Sequence, residues 1–98
     1  MSLSTKNIIV TGATSGFGTE IAKALSAAGA NVFIGGRRAD QGAKVAKEIN
    51  ATFHPVDVAD KASSEAFYAA AKKHFEGSNV DYILLNAGVE GSNEKTQI

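Results

Sequence analysis

The sequence contains no cysteine, no tryptophan and a single proline among its 98 residues. Without cysteine there is no disulfide framework and no thiolate metal site, and the composition fits a reducing compartment. The apolar runs are far shorter than the ~20 residues that a membrane-spanning helix needs. The amino terminus lacks the charged region and apolar core of a secretory signal. We therefore expect a cytoplasmic protein without membrane segments.

An excess of one charge is also lacking, because ten basic residues balance ten acidic ones. The signs are mixed along the chain, so nucleic-acid binding through phosphate neutralisation is not expected. The two histidines, His54 and His74, are too few and too scattered for a metal site. With 44% hydrophobic and 20% charged residues, the chain has the composition of one globular domain or part of one.

Four short apolar runs predict β-strands. Three of them, at residues 7–11, 31–35 and 81–86, are almost continuously apolar. This pattern is typical of parallel strands that are covered on both faces. The fourth, at residues 51–56, contains Pro55, which cannot donate a hydrogen bond to a neighbouring strand, so we expect it at a sheet edge.

Apolar residues at helical spacing predict three intervening helices, over about residues 17–28, 39–49 and 61–75. Gly29 and Gly77 are expected to end the first and third helices, and Asp60 to cap the third. The predicted inward-facing residues are Phe17, Ile21, Ala24, Leu25 and Ala28 in the first helix, Gly42, Val45, Ala46 and Ile49 in the second, and Phe67, Ala71, His74 and Phe75 in the third.

The alternation of strands and helices predicts an α/β fold. Right-handed crossovers at this spacing give a Rossmann-like parallel sheet with flanking helices, that is, a partial doubly wound fold. Residues 89–98 are polar and without a clear period, so we expect this tail to be poorly ordered.

The stretch VTGATSGFG, residues 10–18, concentrates three glycines where the first strand ends and the first helix begins. A helix start offers unpaired N–H groups and the positive end of the helix dipole, which favour a phosphate. Gly12 suits a tight turn, Gly16 a close approach of a pyrophosphate, and Gly18 close packing of helix and sheet. The hydroxyls of Thr14 and Ser15 add donors. A glycine-rich turn without a ligand is the alternative interpretation. A Walker A loop is excluded, because Phe17 stands where that motif needs glycine.

Four motifs in order resemble those of the short-chain dehydrogenase/reductase family: TGATSGFG (residues 11–18), GGRR (35–38), DVAD (57–60) and LLNAG (84–88). The resemblance covers about residues 5–90 and implies the cofactor-binding amino-terminal portion of a longer enzyme, with residues 1–98 as one nucleotide-binding domain. Leu85 stands where the family's NNAG motif begins with asparagine. The cofactor-binding residues that the resemblance implies are Gly12, Thr14, Ser15, Gly16, Phe17, Gly18, Arg37, Arg38, Asp57, Val58, Asn86, Ala87 and Gly88.

Residues 35–38 favour NADP(H) over NAD. An acidic residue after the second strand would bond the ribose 2′-hydroxyl of NAD, and none is present there. A guanidinium can bind a 2′-phosphate through two parallel hydrogen bonds, and we expect Arg37 to bind the phosphate in this way. We expect Arg38 to stack on adenine or to share the phosphate. The alternative interpretation is that one or both arginines are only solvated at the start of the second helix.

Two of the remaining positions, Asp57 and Gly88, keep alternative interpretations. The resemblance implies that Asp57 accepts a hydrogen bond from adenine and that Val58 contributes its backbone, whereas Asp57 alone also suits a turn cap. Asn86 is expected to tie strands together, with Ala87 and Gly88 near the ribose. Gly88 equally suits a turn that leaves the strand.

No catalytic residue is assigned in this chain. The family's catalytic pair is Tyr-x-x-x-Lys, and Tyr68 and Lys72 have that spacing. They precede the NAG motif, whereas the family's pair follows it, and they lie on the third helix, away from the expected nicotinamide. An exposed tyrosine beside an apolar stripe is the simpler interpretation.

The sequence therefore predicts an NADP(H)-dependent oxidoreductase, represented by its cofactor-binding part, whose full-length parent acts on a small carbonyl or alcohol. The alternatives are a non-catalytic dinucleotide-binding or interaction module and an NAD-dependent epimerase-type relative. A serine and a Tyr-x-x-x-Lys after Ile98 would distinguish them. We also expect a homo-oligomer, or a tail that covers the last strand, because the apolar strand at 81–86 would otherwise present an open edge.

Overall fold

Seven elements alternate along the chain in the computed structural model, which describes residues 6–13 and 16–85. The strands are β1 (Asn7–Thr11), β2 (Asn31–Gly36), β3 (Thr52–Pro55) and β4 (Tyr82–Leu85), and the helices are α1 (Gly16–Ala27), α2 (Ala39–Ile49) and α3 (Lys61–His74). The pairs are parallel and the strand order is β3-β2-β1-β4. The α/β fold predicted from the sequence is confirmed, and β3 lies at an edge as Pro55 indicated.

Strands β1 and β2 are buried on both faces because their successive side chains enter two different cores. Helices α1 and α2 cover one core, and α3 covers the other. The first core contains Ile8, Val10, Ala13, Ala22, Val32, Ile34, Val45, Ala46 and Ile49, and the second contains Ile9, Phe33, Val56, Phe67, Ala71 and Phe75. Burial on both faces explains why these strands read as continuous apolar runs.

The placement of the helices follows from the strand order. The chain steps from β1 to β2 to β3 in one direction and then returns across the sheet to β4. Because βαβ crossovers are right-handed, this reversal puts α3 on the opposite face from α1 and α2. The reversal also makes the carboxyl ends of β1 and β4 the switch point of the sheet, where ligands bind in open α/β folds.

The predicted helix ends are confirmed for α1 and α3. Asp60 caps α3, its Oδ1 accepting hydrogen bonds from the backbone N–H of Ala62 at 3.0 Å and of Ser63 at 3.3 Å. Gly29 and Gly77 follow α1 and α3 with φ values of 99° and 87°. These backbone conformations suit glycine, which has no Cβ to clash.

The predicted inward face of α1 is wrong at two positions. Phe17 and Ala24 are exposed, and the buried residues are Gly18 and Ala22, with Leu25 packed beside them. Positions 18, 22 and 25 form one face at helical spacing. Phe17 is displaced from that face by about 100° of helical rotation, so its ring points away from the sheet.

The inward faces of α2 and α3 are confirmed, apart from His74. The four predicted residues of α2 are buried, as are Phe67, Ala71 and Phe75 beneath α3. His74 is an exposed residue, although its ring still contacts the ring of Phe33 with centroids 5.2 Å apart.

A polar network joins the amino ends of β1, β2 and β4. Asn7, 6% exposed, donates from its backbone N–H to Asp81 Oδ2 and from Nδ2 to the carbonyl of Asn79, each at 2.8 Å. Asn31 Nδ2 donates to Asn7 Oδ1 at 3.0 Å. These bonds satisfy a buried amide and fix three strands in register at the edge opposite the predicted binding site.

Candidate functional site

The predicted site residues follow the carboxyl ends of neighbouring strands. Thr11, the last residue of β1, lies opposite Gly35 of β2 and Leu85 of β4. Gly36 of β2 lies opposite Pro55 of β3. The segments that follow these strands, beginning at Gly12, Arg37 and Val56, therefore leave the sheet at one edge.

The turn after β1 is fixed by its backbone and by one hydroxyl. Gly12 has a φ of 70°, which a residue with a side chain rarely adopts. The N–H of Ala13 donates to the carbonyl of Gly35 at 3.0 Å, and the Thr19 hydroxyl donates to the carbonyl of Ala13 at 2.5 Å. The sequence reasoning missed Thr19, whose contact depends on how the loop folds back over α1.

Helix α1 begins at Gly16 and presents its amino end to this edge. A Cβ built on Gly16 would meet no atom of residues 6–13 and 16–85 within 4 Å, so none of these residues requires glycine there. Gly18, two residues later, is buried against the sheet side, as expected for close packing. Phe17 lies between them and is 74% exposed, which leaves its ring available to a ligand at the helix start.

The start of α2, beside the end of β2, carries two arginines and one aspartate, Asp40, in its first turn. Arg37 and Arg38 are exposed, and Arg38 occupies the N-cap position without making a side-chain capping hydrogen bond. A cation at the amino end of a helix opposes the helix dipole. An anion placed there would interact favourably with both guanidinium groups and with the dipole.

Asp57 comes directly after Val56. The N–H of Val56 donates a hydrogen bond to the carbonyl of Gly36 at 2.9 Å, which extends the pairing of β3 with β2. Its Oδ1 accepts from the N–H of Ala59 at 3.1 Å, and its own N–H donates to the Ser63 hydroxyl at 2.9 Å. The hydrogen bond from the N–H of Ala59 to Asp57 Oδ1 supports the interpretation of Asp57 as a turn cap. That bond engages one carboxylate oxygen, so it is compatible with a ligand contact through the other.

Val58 follows Asp57 and is 55% exposed at the same edge. Five predicted site residues lie outside the described part of the chain: Thr14, Ser15, Asn86, Ala87 and Gly88. The tail at residues 89–98 lies outside it as well.

The Tyr68 and Lys72 pair lies along α3. The Tyr68 ring packs edge-on against Phe67, with centroids 5.3 Å apart. This contact gives the tyrosine a packing role at the flank of the second core, as the sequence reasoning expected.

Within residues 6–13 and 16–85, no three of the histidine, aspartate and glutamate side chains lie close enough together to hold a metal ion. In the same ranges, no helix has the length and apolar character needed to cross a membrane.

A parallel sheet in the order 3-2-1-4, with a glycine turn and a helix start at its switch point, defines a Rossmann-like domain. A model of the short chain dehydrogenase family matches residues 6–98. The chain belongs to this family of oxidoreductases.

Three relatives illustrate the similarity. D-beta-hydroxybutyrate dehydrogenase of Cupriavidus necator is 36% identical over 93 residues, covering 90% of this chain and 35% of the relative. The RhlG/NADP active-site complex of Pseudomonas aeruginosa has a TM-score of 0.78 at 32% identity, covering 90% and 36%. The 3-ketoacyl-(acyl-carrier-protein) reductase of Brucella melitensis complexed with NADH has a TM-score of 0.78 at 36% identity, covering 84% and 34%.

The chain spans about a third of the length of the curated relatives it matches. One of these solved relatives is a complex with NADP and another a complex with NADH. Family membership alone therefore does not determine whether a member prefers NADP(H) or NAD(H).

Proposed function

We propose that this chain is the NADP(H)-binding portion of a longer short-chain oxidoreductase, which acts on the carbonyl or hydroxyl group of a small molecule. The observation that carries the proposal is that no atom of the described residues lies within 4 Å of a Cβ built on Gly16, where α1 begins at the switch point of the sheet. Within the described part of the chain, neither packing nor a positive φ calls for glycine at this position, whereas a diphosphate lying against the backbone would.

The diphosphate is placed at the amino end of α1. The backbone from Gly12 to Gly18 supplies N–H donors and the positive end of the helix dipole. The Thr19 hydroxyl donates a hydrogen bond to the carbonyl of Ala13. This bond stabilises the conformation of the turn before a ligand binds. Thr14 and Ser15 are proposed as additional hydroxyl donors.

The 2′-phosphate is placed at the start of α2, against Arg37. The N-cap residue Arg38 makes no side-chain capping bond, and both arginines immediately precede the helix, whose first turn also contains Asp40. A guanidinium can bind a dianionic phosphate through two charge-assisted hydrogen bonds, whereas the ribose hydroxyls of NAD carry no charge. The site therefore favours the phosphorylated cofactor.

The adenine is placed between Asp57 and the exposed Val58, and the ribose near residues 86–88. Asp57 is held in position by the bonds to Ala59 and Ser63. The bound cofactor would supply the hydride chemistry, and this chain's residues would bind and orient it. We assign no catalytic residue to the chain, and a non-catalytic dinucleotide-binding module is the second candidate on that ground.

We further propose a cytoplasmic location and a homo-oligomeric assembly. The first rests on a composition without cysteine and on the charge balance. The second rests on the apolar character of β4.

Equilibrium titration of the chain with NADPH and with NADH tests the cofactor assignment. We expect NADPH to bind more tightly, and we expect Arg37→Asp to weaken NADPH by about 10- to 100-fold, the loss of one charge-assisted phosphate contact. Binding of NADH should change much less, because its ribose carries no phosphate.

Lys44→Asp is the matched control, because it makes the same charge change on an exposed position of α2 away from the helix start. It should leave the ratio of the two affinities unchanged. Equal losses of NADPH and NADH binding in Arg37→Asp would contradict the assignment.

A further inference from the structure

The first turn of α3 is bonded to the turn that follows β3. The N–H of Asp57 donates to the Ser63 hydroxyl at 2.9 Å, across six positions of the chain. Ser63 is the third residue of α3 and is half-buried. A side chain of the helix therefore holds the backbone of Asp57, the residue that is proposed to contact adenine.

The contact of Ser63 departs from the usual arrangement at a helix start. In a capping box, the side chain at this position bonds back to the N–H of the N-cap residue. Here the N-cap residue is Asp60, and its N–H already donates to the carbonyl of Asp57 at 2.9 Å. The Ser63 hydroxyl instead accepts from the N–H of Asp57, outside the helix. Its bond stabilises the turn, while the Asp60 side chain caps the helix.

The packing of α3 fixes where Ser63 lies. Phe67 follows it by one helical turn, on the same side of the helix, and is fully buried. The Phe67 ring packs against that of Phe33 in β2, with centroids 5.3 Å apart. Gly35 leaves room for this ring, because a Cβ there would stand 2.4 Å from Phe67 Cε1. The second core therefore keeps Ser63 beside the turn.

The turn is also anchored on either side of the Asp57 amide. Val56 is buried in the second core, and its N–H donates to the carbonyl of Gly36 at 2.9 Å. Asp57 Oδ1 accepts from the N–H of Ala59 at 3.1 Å. The bond to Ser63 holds the peptide group between these two anchors, next to the Asp57 carboxylate. Without this bond the peptide would be free to rotate, and the carboxylate would lose its fixed direction.

We propose that Ser63 is a positioning residue for adenine recognition. By holding the Asp57 peptide, the Ser63 hydroxyl directs the Asp57 carboxylate at the 6-amino group of the base. An ionised carboxylate only accepts hydrogen bonds, so it favours a base with an amino group over one with a carbonyl. The inference rests on the proposed function, and it adds that the choice of base depends on a residue of α3 that acts through the Asp57 backbone.

Titration with NADPH and with its hypoxanthine analogue tests the proposal. The analogue carries a carbonyl in place of the 6-amino group and is otherwise the same dinucleotide. We expect the chain to bind NADPH about tenfold more tightly than the analogue. Ser63→Ala should reduce this preference to about threefold or less, because NADPH loses affinity and the analogue does not. Ser63→Thr keeps the hydroxyl and should retain the preference.

Ser64→Ala is the matched control. It removes a hydroxyl from the next position of α3, and within residues 6–13 and 16–85 the Ser64 side chain makes no hydrogen bond. It should leave the preference for adenine unchanged. In the ligand-free chain, hydrogen exchange at the Asp57 amide, followed by NMR, should be at least about tenfold faster in Ser63→Ala than in Ser63→Thr or Ser64→Ala.

Ser63→Cys, whose thiol is a weaker acceptor, replaces Ser63→Ala if circular dichroism shows that the latter fails to fold. A preference that the folded variant keeps, or an equal loss of affinity for both dinucleotides, would overturn the role of Ser63. Unchanged exchange at the Asp57 amide would overturn it too. If the unsubstituted chain binds neither dinucleotide, the proposed function itself fails, and this inference fails with it.

Discussion

At the scale of single residues, three glycines are needed for three different physical reasons. Gly12 has a φ of 70°, so its backbone conformation excludes most other residues. Gly42 lies against β3, and a Cβ there would stand 2.0 Å from a ring carbon of Phe53. The described residues impose neither constraint on Gly16, and we propose that the approach of a ligand is the reason for its size.

The pair Gly16→Ala and Gly42→Ala separates ligand binding from packing. Gly16→Ala should leave the free energy of unfolding unchanged or raise it by up to about 1 kcal/mol, from helix propensity, while NADPH affinity falls at least about tenfold. Gly42→Ala should lower stability by about 1–2 kcal/mol, because overpacking against Phe53 outweighs the propensity gain. Its folded fraction should bind NADPH normally. Urea unfolding and titration measure both, and a Gly16→Ala variant with full affinity would refute the diphosphate placement.

At the scale of elements, helices α2 and α3 begin differently. The start of α3 is closed by the side chain of its N-cap residue, Asp60. At the start of α2, Arg38 supplies no acceptor, although Asp40 Oδ1 accepts a hydrogen bond from the N–H of Gln41 at 3.0 Å. The capped start of α3 stabilises the fold.

Asp60→Ala should destabilise the protein by about 1 kcal/mol, because two backbone N–H groups of α3 lose their acceptor. Asp60→Asn keeps an acceptor at the cap and should recover most of that loss. Thermal unfolding followed by circular dichroism compares the two variants. Equal destabilisation by both would mean that the carboxylate charge, and not the cap hydrogen bonds, stabilises the helix start.

The elements whose packing is apolar were predictable from the sequence. In α2 and α3 the buried stripes contain Val45, Ile49 and Phe67 among smaller residues, and the spacing of these apolar side chains predicts the inward face correctly. In α1 the inward face is built on Gly18 and Ala22, small residues that hydropathy does not mark, so the more apolar Phe17 was misplaced. The contacts of Thr19 and Ser63 with the loops depend on how those loops fold back, and no local pattern encodes this.

At the scale of the whole molecule, the two ends of the sheet have different roles. The amino ends of the strands are fixed by the network around Asn7, in which buried polar groups are paired within the protein. The carboxyl ends lead into a glycine turn after β1 and into two arginines before α2. One end holds the strand register, and we propose that the other binds the cofactor at the switch point that the reversal of direction between β3 and β4 creates.

A crystal structure of the chain grown with NADPH tests this account most directly. We predict the diphosphate at the amino end of α1, within hydrogen-bond distance of backbone N–H groups between Gly12 and Gly18, and the 2′-phosphate against the Arg37 guanidinium. A nucleotide bound elsewhere, or a crevice left empty at saturating NADPH, would contradict the account.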